Sequence, residues 1–90
     1  MNTLFITYTL DNNSVDYPNL SARLKQFPDW VKLFNRAWII KTRRSSRIVR
    51  DELDNIIEGR GRIVVINITD SPWATAQIDE DVLLWMKKNI

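Results

Sequence analysis

The sequence predicts an α+β domain, and two observations lead to this fold class. The predicted elements follow one another in the order β-α-β-β-α-β, with a further helix at the end of the chain. Strands are indicated by runs of β-branched and aromatic residues, and helices by apolar residues at three- and four-residue spacing. Ninety residues suffice for one domain of this kind, so residues 1–90 are expected to form a single domain.

The first strand and helix are predicted from residues 3–28. Residues 3–10 form an apolar, β-branched run typical of a central strand, which the polar turn of residues 11–14 ends. Asp16 is expected to cap the first helix, which stops at Pro28. The apolar stripe of this helix consists of Leu20, Leu24 and Phe27.

A β-hairpin is predicted next. Residues 30–34 and 37–42 are both strand-like, and the two-residue turn Asn35-Arg36 separates them. A single strand preceded by a helical Trp30 is the alternative interpretation.

The pattern of residues 45–69 predicts a helix followed by a strand. Ser45 or Ser46 caps the helix, Gly59 ends it, and its buried stripe consists of Val49, Leu53, Ile56 and Ile57. Residues 62–69 form a near-continuous apolar strand, so this strand is expected to be central or covered on both faces.

A loop over residues 70–76 leads to the terminal helix. Asp79 is expected to cap this helix, and its core-facing residues are Val82, Leu83, Trp85 and Met86.

Two right-handed crossovers joined by a hairpin define a ferredoxin-like βαββαβ fold with a four-stranded antiparallel sheet and an extra C-terminal helix. The first two helices then lie on one face of the sheet. The other face is solvated, covered by the terminal helix or buried against a partner.

Composition excludes several kinds of chemistry. The chain has no cysteine and no histidine, which excludes disulfides, thiol nucleophiles and imidazole bases or metal ligands. No apolar run approaches the length of a membrane span, and residues 1–3 lead into a strand rather than a signal peptide. We therefore expect a cytoplasmic protein with no membrane association and no small-molecule cofactor.

The positive charge of the chain is concentrated in one segment. The net charge is only +2, yet residues 36–50 hold six basic residues and no acid. Arginine side chains match phosphate geometry, and the capped start of the second helix adds free backbone N–H groups. A solvated loop and helix face is the alternative interpretation. The candidate nucleic-acid-binding residues are Lys41, Arg43, Arg44, Arg47 and Arg50. Trp73, in the loop over residues 70–76, is a further candidate, either as a base-stacking residue or as an interface residue.

Several segments resemble a known family. The run AWIIKT (37–42), the Ser-capped helix with Arg50-Asp51-Glu52-Leu53, the strand RIVVINIT (62–69) and the Trp-containing loop together resemble the small bacterial SinR-like family. That family is similar in fold to the nuclease-like subunit of the CRISPR adaptation complex and to VapD ribonuclease toxins. The resemblance implies a homodimer that packs sheet against sheet.

The same resemblance bears on activity. In those relatives the first strand typically ends in Tyr-Asp-hydrophobic, and two such Asp residues can hold a divalent metal at the dimer axis. The matching tripeptide here is Tyr8-Thr9-Leu10, which places a neutral hydroxyl where the carboxylate is expected. Asp11 is the one nearby residue that could replace it.

These observations lead to three hypotheses about function. The first is a non-enzymatic homodimeric module that binds DNA, RNA or another polyanion. The second is a metal-dependent nuclease or VapD-type toxin, with Asp11 and Tyr8 as catalytic candidates and a divalent ion such as magnesium held by Asp11. The third is a protein-interaction module.

Overall fold

The structure is a computed structural model that describes residues 1–11 and 17–90, together with the backbone of Asp16. Seven elements follow one another along the chain. They are β1 (Asn2–Leu10), α1 (Asp16–Leu24), β2 (Asp29–Phe34), β3 (Ala37–Thr42), α2 (Ser46–Ile57), β4 (Gly61–Asn67) and α3 (Glu80–Asn89). The turn predicted at residues 11–14, apart from Asp11, and the capping side chain of Asp16 lie outside the described residues. None of the described helices is both long and apolar enough to span a bilayer.

The four strands form one antiparallel sheet in the order β2-β3-β1-β4. This is the strand order of a βαββαβ fold with two crossovers, and the α+β prediction with an extra C-terminal helix is therefore confirmed. The hairpin is also confirmed, because β2 and β3 flank the Asn35-Arg36 turn.

The main core lies between the sheet and the helices α1 and α2. Successive strand residues point to opposite faces, and the even-numbered residues of β1 from Leu4 to Leu10 face the two helices. The predicted stripes of both helices join them. Leu20, Leu24, Val49, Leu53 and Ile57 are fully buried.

The terminal helix α3 packs on the second face of the sheet. Met86 is buried against Val31 of β2 and Ile39 of β3, and Trp85 and Val82 pack at the edge of this smaller cluster. Of the three predicted fates of this face, partial coverage by the last helix is therefore the one observed. The cover extends over β2 and β3 rather than over β4.

One strand prediction was wrong. β4 is an edge strand, paired only with β1, and Val64 and Ile66 on its second face remain 48% and 49% exposed. The apolar run of residues 62–69 indicated burial on both faces, but α3 does not reach β4. Ile63 and Val65, on the other side of the strand, pack against the main core.

Two helix ends differ from the predictions, and one predicted cap makes no hydrogen bond. α1 ends at Leu24, although Phe27 still joins the core. The left-handed residue that follows α2 is Glu58, and Gly59 continues in the same conformation with φ 72°. Asp79 precedes α3 as expected, but its side chain makes no capping hydrogen bond.

Candidate nucleic-acid interface

The N-terminus of α2 follows directly from β3 and brings three arginines to one end of the sheet. Ser45 is the capping residue, because its Oγ accepts a hydrogen bond from the Ile48 backbone N–H at 3.2 Å. Arg43 and Arg44 lie in the short connection before this cap, and Arg47 is in the first turn of the helix. The positive end of the helix dipole adds to their charge.

Arg43 and Arg44 line a cleft between this connection and the end of α1. The cleft has a volume of about 270 Å³, and Thr42 and the segment Gln26–Pro28 form its walls. Arg23, from the last turn of α1, supplies a third guanidinium. Three arginines from two separate parts of the chain therefore surround one concave surface.

Glu52 of α2 organises two of these arginines. Its two carboxylate oxygens accept hydrogen bonds from different partners, Arg23 Nε at 2.6 Å and Arg44 Nη1 at 3.0 Å. The guanidinium of Arg23 also lies 4.4 Å from the centre of the Phe27 ring. One acid holding two arginines leaves the group with a net positive charge and limits the movement of both side chains.

The remaining arginines of the segment differ in how they are held. Within the described residues, Arg43 and Arg47 form no ion pair and no side-chain hydrogen bond, and both are exposed. Arg50, in contrast, is paired with its neighbour Asp51 at 2.6 Å. Arg43 and Arg47 are thus the two arginines of this surface whose guanidinium groups make no ion pair or hydrogen bond with any described residue.

Lys41 and Trp73 lie away from the arginines. Lys41 points to the second face of the sheet, where its Nζ donates a hydrogen bond to the carbonyl of Asn89 in α3 at 2.7 Å. Trp73 is 38% exposed and lines an apolar cleft of about 320 Å³ on the same face, together with Phe5, Phe34 and Met86. The structure therefore does not bring these two candidates to the basic cleft.

The candidates for metal-dependent catalysis lie at the end of β1. Thr9 is exposed on the second face, opposite Arg62 of β4. Asp11 follows the strand, and its backbone N–H donates to the carbonyl of Arg60 at 2.9 Å. Among residues 1–11 and 17–90, no group of three or more acidic side chains is close enough to hold a metal ion together.

Tyr8 has a structural environment. It is 5% exposed, and its hydroxyl oxygen accepts a hydrogen bond from Trp38 Nε1 at 3.2 Å. This places Tyr8 on the helix-covered face, whereas Thr9 faces the opposite side of the sheet.

Comparisons with protein-family models, with curated proteins and with solved structures found no significant match to this chain. The resemblance to the SinR-like family therefore stays a prediction, and function is argued from the geometry of the described residues.

Sequence reasoning missed Arg23 and Glu52. Both lie on helices, at positions where an exposed ion pair within the helix is the usual expectation. Only the packing of α1 beside α2 joins them, across 29 positions of the sequence.

Proposed function

We propose that this protein binds nucleic acid, without catalysis, through the basic surface formed by Arg23, Arg43, Arg44 and Arg47. The observation that carries the proposal is the cleft in which Arg23, Arg43 and Arg44 converge beside the capped N-terminus of α2. Guanidinium groups and free helix N–H groups both bind phosphate oxygens. Both kinds of group bind the phosphate backbone rather than the base edges, so we expect binding that does not depend on sequence.

The number of available cations limits the expected affinity. Arg43 and Arg47 are unpaired among the described residues, whereas Arg44 and Arg23 share one neutralising acid, Glu52. Three phosphate contacts would release about three counterions from duplex DNA, which corresponds to a salt slope of about −2.7. The affinity should then fall roughly 40-fold between 50 and 200 mM salt.

The proposal includes a homodimer that buries the second face of the sheet. The apolar cleft beside Trp73 continues through Phe5 to Ile66, its partner in the β1–β4 ladder, so one apolar surface extends from α3 to β4. A monomer of 90 residues buries only a modest fraction of its apolar surface. Association with a second copy is favourable because it removes more of this surface from water. A dimer would present two basic clefts to one nucleic acid and raise the avidity.

The test is a binding titration of random-sequence duplex DNA and single-stranded RNA at several salt concentrations. The variant is Arg43→Gln combined with Arg47→Gln, because neither side chain makes an ion pair or a side-chain hydrogen bond with a described residue. We expect the duplex slope to fall from about −2.7 to about −0.9, since two phosphate contacts are lost.

The matched control combines Lys87→Gln with Lys88→Gln. It removes the same charge from the exposed last turn of α3 and should leave the slope unchanged. No binding by the wild-type protein at 50 mM salt, or equal losses in both double variants, would refute the proposal.

A further inference from the structure

We infer that a second, separate pocket binds the dianion of a phosphate monoester. The pocket lies between the β2–β3 turn, the end of β1 and the start of α1, and it has a volume of about 360 Å³. This size is within the range of small-molecule sites. The lining residues are Tyr8, Tyr17, Ser21, Lys32, Asn35 and Arg36.

The pocket is distinct from the basic cleft. The cleft lies at the end of β3 and the pocket near its start, and six residues of extended strand separate them by roughly 20 Å. The inference therefore goes beyond the proposed function and does not require nucleic-acid binding.

Two cations reach the pocket without acidic partners. No described carboxylate lines the pocket, and neither Lys32 nor Arg36 forms an ion pair with any described residue. Each is held over an aromatic ring instead. Arg36 Cζ lies 4.4 Å from the centre of the Tyr17 ring, and Lys32 Nζ lies 5.7 Å from the centre of the Trp38 ring. A cation–π contact leaves the N–H donors free, so two positive charges can meet the two negative charges of a phosphate monoester.

The hydroxyl groups of Tyr8 and Tyr17 are two further hydrogen-bond donors that line the pocket. Tyr8 Oη accepts from Trp38 Nε1, and Tyr17 Oη accepts from the Leu10 backbone N–H at 2.9 Å. An indole N–H and a backbone N–H can only donate, which fixes both phenol oxygens as acceptors in these bonds. Neither phenol donates to a described acceptor, so each O–H proton remains available to a ligand. Accepting a hydrogen bond also strengthens a hydroxyl as a donor.

The backbone at Arg36 supports a role for this side chain. Arg36 has φ 56°, a left-handed conformation that glycine usually provides in a hairpin turn. An arginine in this position brings its guanidinium over Tyr17, and both residues line the pocket.

The experiment is a titration of the full chain with phenyl phosphate, in which binding is monitored through the amide chemical shifts in two-dimensional NMR spectra. We expect saturable shifts at the amides of Leu10, Asn35 and Arg36 at pH 7.5. Lys32→Gln and Arg36→Gln should each weaken binding about tenfold or more, because each removes one of the two charges. Lys88→Gln removes the same charge from α3 and should leave the affinity unchanged.

The pH dependence tests the charge of the ligand. A phosphate monoester loses its second proton with a pKa of about 6, so about one molecule in eleven is a dianion at pH 5.0. Affinity should therefore fall about tenfold between pH 7.5 and pH 5.0. Sulfate is the control ligand, because it is a dianion at both pH values, and its affinity should be the same at pH 7.5 and pH 5.0.

Two further ligands identify the source of the phosphate. A nucleoside 5′-monophosphate represents a small metabolite, and a 5′-phosphorylated oligonucleotide represents the end of a nucleic acid. The second is tested in the Arg43→Gln/Arg47→Gln background, so that the basic cleft does not contribute. The tighter of the two defines the natural source, and either supports the inference.

Three outcomes would overturn it. They are an absence of saturable shifts with every phosphate ligand, binding that Lys32→Gln and Arg36→Gln leave intact, and binding to phenyl phosphate that does not change with pH. Loss of nucleic-acid binding in the Arg43→Gln/Arg47→Gln variant with phenyl phosphate binding preserved would show the two sites to be independent.

Discussion

Tyr8 and Trp38 are joined by a buried hydrogen bond. This bond gives the polar atom of each of these two large aromatic side chains a hydrogen-bond partner in the core. Trp38 is fully buried, and its Nε1 donates to Tyr8 Oη at 3.2 Å. In the described part of the chain, every buried side-chain nitrogen and oxygen has a hydrogen-bond partner. The same residue lines the pocket that we propose to bind phosphate, so we expect this one side chain to contribute to both stability and binding.

Tyr8→Phe should lower the free energy of unfolding by about 1–3 kcal/mol, because it leaves a buried indole N–H without an acceptor. Urea denaturation followed by tryptophan fluorescence measures the change. Tyr17→Phe is the comparison, since the Leu10 N–H that it exposes is only partly buried and water can replace the phenol. Its cost should stay below about 1 kcal/mol. Equal costs for the two variants would contradict this assignment.

The helix α2 is the element that connects the core to the basic cleft. Val49, Leu53 and Ile57 bury one side of it, and Glu52 reaches from it to Arg23 and Arg44. The position of its first turn is therefore set by the cap at one end and by core packing along its length. The sequence left Ser45 and Ser46 open as the cap, and the Ser45–Ile48 hydrogen bond identifies Ser45.

Ser45→Ala should destabilise the protein by about 1 kcal/mol, since the Ile48 N–H loses its capping acceptor. Ser46→Ala is the matched control, because Ser46 is the first residue inside the helix and is not the capping residue. Its effect should be less than about 0.5 kcal/mol. Chemical denaturation of both variants gives the comparison, and a larger loss for Ser46→Ala would show that the cap is misassigned.

The whole molecule is asymmetric in how the two faces of its sheet are covered. α1 and α2 cover the first face, whereas α3 covers only the β2–β3 half of the second. Phe34 lines the apolar cleft and is 59% exposed, and Val64 and Ile66 are half exposed on β4. Exposed apolar side chains that share one face of a sheet are typical of an interface.

Val64→Lys should convert the proposed dimer into a monomer. The charge lies on the uncovered half of the second face, where the partner chain would bury it. Light scattering at micromolar concentration should give about twice the chain mass of 10.6 kDa for the wild type and one chain mass for the variant. Ile48→Lys is the control, because Ile48 is similarly exposed but lies on α2 at the other side of the molecule. A wild-type mass of one chain, or dissociation by both variants, would refute the proposed interface.

Local patterns in the sequence determined the elements of this protein. The turn Asn35-Arg36 between two strand-like runs was sufficient to predict the hairpin, and the stripe Val49–Leu53–Ile57 was sufficient to predict the buried face of α2. The alternation of side chains along β3 also separates Lys41 from the basic cleft. Lys41 precedes Thr42, and neighbouring strand residues point to opposite faces, so Lys41 could not join a cleft that Thr42 lines.

Tertiary structure decided which of these elements meet. The apolar run of β4 is compatible with a central strand and with an edge strand, and only the placement of α3 over β2 and β3 leaves it half exposed. The junction of Arg23, Glu52 and Arg44 likewise depends on the packing of α1 beside α2. The physical reason is that hydrophobic periodicity records which side of an element is buried, but not which partner buries it. The sequence alone therefore determined the α+β class and the order of its elements, whereas the two candidate anion sites exist only where the folded chain brings distant residues together.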